Sequence, residues 1–268
     1  MSDENYTLGR GEIYFAPFAP NTTNPVGERY FGNSPEFNIS VESETLDHFS
    51  ADTRIREKDR SAVLQVNRSA TLTTDDIDPD NLEIFFLGAD STVTQTQQTV
   101  TAEQVGITGI GVERGMFYQL GTSAVRPTGA RSIIFPGTGG TAFTLNKGAT
   151  PLVHGTDFVL NAELGRFQIL STSVTVVNGD LLTANYTIGA SSRMRVISGN
   201  TPVRGQLRYI AQNAEGRQID YLMPSVLIRP NGEFNLKGDD WQMLSFNVEI
   251  LKRTGFEAVY ADGRPLIA

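Results

Sequence analysis

Cysteine is absent from this 268-residue chain, which excludes a disulfide framework, thiol catalysis and cysteine metal sites. Histidine is nearly absent. His48 and His154 stand in different segments with no serine or aspartate arrangement suggesting a triad, and both read as solvated loop residues. No apolar run approaches the length of a membrane-spanning helix. Residues Met1-Ser2-Asp3-Glu4-Asn5 lack the basic and apolar regions of a signal peptide, so a cytoplasm-like compartment is expected. Positive charge is in deficit: 22 Lys and Arg face 30 Asp and Glu, a formal charge of −8. The basic footprint that grips phosphate is therefore missing, although such a surface suits a role in which DNA must pass without sticking.

Catalytic motifs are missing as well. There is no G-x-S-x-G or Walker A pattern, and the glycines of residues 109–115 have the wrong final spacing for a dinucleotide fingerprint. Asp76, Asp78 and Asp80 imitate the start of a calcium loop, but Asn81 stands where glycine is required and Leu87 where a bidentate glutamate belongs. Helix capping accounts for those carboxylates better. The single tryptophan, Trp241, follows Gly238-Asp239-Asp240, and an anchoring role in a core or interface is favoured over a ligand platform. No cofactor is expected.

What the chain does contain is strand pattern and turns. It is 39% apolar and 19% charged with 26 Gly and 12 Pro, the composition of a turn-rich globular protein. In residues 36–44, Phe37, Ile39 and Val41 oppose Glu36, Asn38, Ser40, Glu42 and Glu44. In residues 62–74, Leu64, Val66, Ala70 and Leu72 oppose Gln65, Asn67, Ser69, Thr71 and Thr73. Side chains alternate along a strand, so both stretches predict half-buried antiparallel strands with one wholly polar face free of Lys and Arg. Arg68 then falls among the apolar residues.

Half of the residues in the joining segment, 46–61, are charged. Arg54, Arg56, Lys58 and Arg60 balance Asp47, Asp52, Glu57 and Asp59, with His48 beside them. Zero net charge and alternating sign in a chain of −8 would suit a contact between copies, and a mobile solvated loop is the plainer expectation.

One helix is predicted after these strands. Asp78 is a good N-cap, Pro79 occupies the first turn, Leu82, Phe85 and Phe86 form an apolar face, and Gly88 stands at the C-terminal cap. Further strands are expected at 11–15, 203–212, 217–223, 226–229, 233–236 and 243–252. Composition shifts to Gly, Thr, Ala and Pro in between, with turn signals at Gly165 and at Asn178-Gly179 between 174–177 and 181–187. The organisation read from this is a core from residues 1–118 and 196–268, the latter ending in an extension after 252, with a β-rich insertion at 119–195. The fold class is mainly β: an antiparallel sandwich or barrel core, one short flanking helix and the insertion.

The segments Gly9-Arg10-Gly11-Glu12-Ile13-Tyr14-Phe15, Gly27-Glu28-Arg29-Tyr30-Phe31-Gly32-Asn33-Ser34-Pro35, Ser43-Glu44-Thr45-Leu46-Asp47-His48 and Ile55-Arg56-Glu57-Lys58-Asp59 form an ordered series. It continues through Thr73-Thr74-Asp75-Asp76-Ile77 and Phe85-Phe86-Leu87-Gly88, and resumes at Arg229-Pro230-Asn231-Gly232 and Leu236-Lys237-Gly238-Asp239-Asp240-Trp241. This series resembles the major tail tube proteins of long, non-contractile phage tails, at both ends of the chain and least over about 100–195. The resemblance implies hexameric rings stacked into a tube in the virion tail, assembled in the host cytoplasm. Tail terminator, distal tail and tape measure proteins would be partners, and double-stranded DNA would pass through the lumen without specific binding or a membrane. It also implies that Asn38, Ser40, Glu42, Glu44, Gln65, Asn67, Ser69 and Thr71 face the lumen. Asp47, His48, Asp52, Arg54, Arg56, Glu57, Lys58, Asp59 and Arg60 would form a loop to the next ring, and the insertion would face outward. A β-rich virion module binding a receptor or carbohydrate is the alternative; an enzyme has little support.

Overall fold

The structure, a computed structural model, describes residues 6–52, 54–135 and 143–265. Thr53 of the joining segment, residues 136–142 of the expected insertion, and residues 1–5 and 266–268 lie outside the described residues. The chain opens with β1 (Gly11–Pro17), β2 (Arg29–Tyr30), β3 (Glu36–Phe49), β4 (Lys58–Thr74), α1 (Pro79–Phe85) and β5 (Ala89–Gln95). Short strands follow: β6 (Gln98–Val105), β7 (Phe117–Gln119), β8 (Thr144–Lys147), β9 (Thr150–Pro151), β10 (Phe158–Asn161), β11 (Arg166–Ile169) and β12 (Leu182–Ile188). Then come β13 (Ser191–Ile197), which pairs with β5, and β14 (Val203–Ala211), β15 (Ile219–Pro230), β16 (Leu244–Ile250) and β17 (Tyr260–Gly263). The protein is mainly β with antiparallel sheets, as the alternation predicted, and among the described residues it has one short helix.

Two compact units divide the chain, one up to Ser91 and from Arg195 onward, the other Thr92–Met194. The insertion therefore begins near 92 and not at 119. Residues 98–105, for which no strand was expected, form β6, which pairs with β12 and turns Val105 into the second core; Val112 and Leu120 follow it there.

In the first unit one antiparallel sheet runs in the order β2, β1, β14, β15, β16, β4, β3, with β17 paired to the free half of β15. Leu244, Phe246, Val248 and Ile250 alternate with Ser245, Asn247 and Glu249 as predicted and are buried with Ile13, Phe15, Leu72, Leu207, Met223 and Val226. Three expectations fail here. Residues 226–229 do not turn back at Pro230 to pair with 233–236; they continue β15, whose partner over Val226–Pro230 is β16. Nor is the segment after 252 a mere extension. It buries Ala258 and adds β17, where Arg264 donates to the Asp220 carboxylate at 3.0 Å.

The third failure concerns the helix face. Asp78 caps it, its carboxylate accepting the Asn81 amide at 2.6 Å, and Leu82 and Phe85 pack on the core, Phe85 against Phe246 and Phe234. Phe86, however, is 42% exposed at the C-cap, while Ile84 and Asn81 are the buried residues. A helix of two turns has a narrow inner face, and an amide can join it because every hydrogen-bonding atom finds a partner. Asn81 Nδ2 donates to the Phe31 and Asp76 carbonyls at 2.9 and 3.0 Å, and its Oδ1 accepts from Arg29 at 2.8 Å. The left-handed residue after the helix is Leu87, not Gly88. Gly88 is needed for another reason, since a Cβ there would lie 1.8 Å from the Ile197 carbonyl oxygen.

In the second unit, sheets β6-β12-β8-β9 and β10-β11-β7 share a core of Leu145, Phe158, Phe167, Ile169, Leu182 and Tyr186. The Tyr186 hydroxyl, raised well above its ordinary pKa by burial, donates to Glu103. The Gly165 hairpin forms as predicted. The Asn178-Gly179 turn exists with Gly179 at φ 96°, but residues 174–177 are not a strand and β12 pairs elsewhere, with β6 and β8.

Candidate assembly surface

β3 and β4 form a ladder from Glu36 opposite Thr73 to Phe49 opposite Lys58, far longer than the rest of the sheet can accompany. β16 pairs with β4 only from Arg68 to Thr74, so residues 42–49 and 58–67 continue as a two-stranded ribbon. The outer edge of β3 has no strand partner among the described residues. An exposed edge of fourteen residues is a template for pairing with another chain, and an uncovered two-stranded ribbon is marginally stable in water.

Register assembles the polar face predicted for these strands. Asn38 lies opposite Thr71, Ser40 opposite Ser69, Glu42 opposite Asn67 and Glu44 opposite Gln65. Hydrogen bonds run along it, Asn38 to Glu36 at 2.6 Å and Gln65 to Asn67 at 2.7 Å. The face continues onto β16 through Asn247 and Glu249, opposite Thr71 and Ser69. Arg229 of β15 lies 3.4 Å from Glu249 and is neutralised by it. No cation interrupts the face on β3 or β4 between Glu36 and Glu44 or Gln65 and Thr73.

The opposite face is apolar and only partly covered. At the root, Ala70 and Leu72 are buried and Phe37 stacks on Tyr209 with ring centroids 6.1 Å apart. Here the sheet curls, leaving an open groove of 880 Å³ lined by Phe37, Ile39, Val41, Arg68, Tyr209 and Tyr221. Arg68 thus belongs to the side away from Asn67 and Ser69. Farther out, Val41 is 62% exposed, and Val63 and Val66 are exposed with it. A bulge between Glu44 and Thr45 leaves Leu64 unpaired and 60% exposed. The two-residue period breaks in the sequence at Ala62-Val63-Leu64, a signal that could have located it.

The charged segment 46–61 is not the loop that its composition suggested. Strand pairing continues through Asp47 opposite Ser61 and His48 opposite Arg60, and of the described residues only 50–52 and 54–57 lie outside the two strands, where the Ser50 amide donates to the Glu57 carbonyl at 2.8 Å. Charges of opposite sign pair across the ladder instead of solvating a coil. Lys58 Nζ and Ser61 Oγ each lie 2.7 Å from the Asp47 carboxylate and hold it below the usual carboxylate range, the Lys58 hydrogen bond being the larger cause. His48 Nδ1 meets Asp59 at 2.5 Å. Lys58, Asp59 and Arg60 are therefore ladder residues with Asp47 and His48, while Asp52, Arg54, Arg56 and Glu57 occupy the turn.

A family model described as a protein of unknown function, UCP028589, matches residues 6–128, which include the entire ribbon. No curated protein matches the chain. Among the described residues no helix is long and apolar enough to cross a membrane, and no cluster of His, Asp and Glu could hold a metal ion.

Proposed function

We propose that the chain is the structural subunit of a tube of the phage-tail type, in which copies form hexameric rings that stack into a conduit for double-stranded DNA. The β3–β4 ribbon carries this reading. Its cation-free polar face, exposed apolar face and open edge are incompatible with a finished surface but suit a strand that is completed by neighbouring copies. Edge-to-edge pairing around a ring would satisfy β3, bury the Val41, Val63 and Val66 side, and turn Asn38, Ser40, Glu42, Glu44, Gln65, Asn67, Ser69 and Thr71 toward the lumen. A hydrated wall without Lys or Arg would let DNA slide, since each phosphate contact adds salt-dependent grip. The ordered sequence resemblance to tail tube proteins supports the same conclusion, and implies tail terminator, distal tail and tape measure proteins as partners in the virion.

An enzymatic role gains nothing from either histidine. His48 is engaged with Asp59, and His154 packs between Phe135 and Phe158. Negative-stain microscopy and sedimentation of the purified chain test the proposal. Rings or tubes of constant diameter with six subunits per ring are expected; a monomer at high concentration refutes it, and a discrete sugar- or receptor-binding species would establish the binding-module alternative.

A further inference from the structure

The first unit carries a second uncovered apolar feature. Residues 231–243 join β15 to β16, and in this loop Trp241 is 88% exposed and Leu236 75% exposed. Isolated exposed leucines need no explanation, but a nearly naked tryptophan in the same loop does. The loop is built rather than slack. Phe234 anchors it against Phe85 of α1, Gln242 Nε2 donates to the Asn235 carbonyl at 3.1 Å, and the Asn231 amide donates to the Ser245 carbonyl at 2.8 Å. It holds one cation, Lys237, and three acids, Glu233, Asp239 and Asp240.

Topology places this loop at the opposite end of the ladder from the ribbon tip. Leu244, the residue after it, pairs with Thr74, whereas the tip lies beyond Phe49 and Lys58. The seventeen residues of β4 span the two ends, on the order of 50 Å at about 3.3 Å per residue. One copy cannot bring them together. The tip is also exposed and partly apolar. Leu46, Phe49 and Ile55 are exposed there, Asp47 and Asp59 are occupied by Lys58 and His48, and Arg54 and Arg56, like the acids Asp52 and Glu57 of the same turn, form no ion pair among the described residues.

We propose that the Trp241 loop is the docking surface for the ribbon tip of a second copy of this chain, with Trp241 and Leu236 covered by the tip's apolar residues and Asp239 and Asp240 facing Arg54 and Arg56. The contact is heterologous: each copy offers a tip at one end and a loop at the other, so the association propagates along the strand direction. It rests on the tube reading above and names the surface through which rings would stack. A buried tryptophan ringed by charges has the character of an interface hot spot.

The cysteine-free sequence allows a direct test, because introduced thiols are the only ones present. Under mild oxidation, the double variant A51C/K237C, which keeps Trp241 and Arg54 and replaces two exposed neighbours, should give a ladder of disulfide-linked multimers. Single variants A51C and K237C should crosslink when mixed, and at least tenfold less when alone. Charge reversal is the second arm: R54D/R56D and D239R/D240R should each lose tube growth while retaining the wild-type circular dichroism spectrum, and a chain carrying both pairs should regain it. Crosslinking of A51C with itself as readily as with K237C would overturn the proposal, as would normal tubes from D239R/D240R or no recovery in the combined chain. If wild-type protein forms tubes and no ladder appears, the contact is wrong and the tube reading stands. If wild type remains monomeric and no ladder forms, both fall.

Discussion

Phe246 lies on β16 beneath α1, fully buried, with the rings of Phe31 and Phe85 set edgewise at centroid distances of 5.5 and 6.1 Å. Replacing it with alanine removes a whole ring from a site walled by backbone and by two other aromatics, so collapse would be incomplete. The expected cost is about 3–5 kcal/mol, including the edge-to-face contacts, against a total of roughly 5–15 kcal/mol for an ordinary domain. At about 2–4 °C per kcal/mol for a unit of this size, the transition that reports the first core should fall by roughly 6–20 °C. Phe167 offers the matching probe, since it is fully buried in the second core and the two clusters share no residue. Scanning calorimetry should resolve two transitions, with F246A lowering one and F167A the other. A single transition, or a shift of both by either substitution, would refute the separation of the cores on which the division at residues 92 and 194 depends.

Deleting residues 92–194 should leave a first unit that folds and still forms tubes, because Ser91 Oγ lies 3.3 Å from the Arg195 carbonyl oxygen and a short turn can close the gap. A deletion that folds by circular dichroism but never assembles would make the second unit part of the tube wall. The Q65K/N67K variant should form normal tubes, as exposed substitutions seldom cost much stability, but DNA ejection through it should slow and become salt-sensitive; ejection kinetics equal to wild type would remove the lumen assignment. Asp47 supplies a pH test. Its folded pKa is depressed below the ordinary 3.8, so the order it lends the ribbon is complete above that value and lost as pH falls through the lowered one. Hydrogen-exchange protection of residues 46–49 and 58–61 should show this step, and D47N should abolish it; an unchanged step in D47N would assign it to another group.

Much of the fold was legible because local chemistry agreed with the tertiary result. The alternation in residues 244–250 named the inward residues of β16, that in residues 36–44 separated the two faces of β3 although Ile39 and Val41 stay exposed on the apolar one, and Asp78-Pro79 marked the start of α1. The polar face was legible for the same reason, since a period of two needs no knowledge of the neighbour. Segments whose structure depends on a distant partner were not legible. Residues 98–105 carry no strand signal until β12 pairs with them, residues 260–263 look like a tail until β15 does, and nothing in the sequence marks Asn81 as buried until Phe31 and Arg29 take up its amide.

Residue order alone therefore determined that the chain is a β protein with one amphipathic ribbon that is polar and cation-free on one side, because alternation is a local property of each strand. Tertiary structure decided that this ribbon runs past its own sheet with an open edge, that the charged segment extends it instead of looping, and that Trp241 lies at the opposite end. Those outcomes depend on where β16 stops pairing with β4, and a ladder's length is set by both of its strands, never by one.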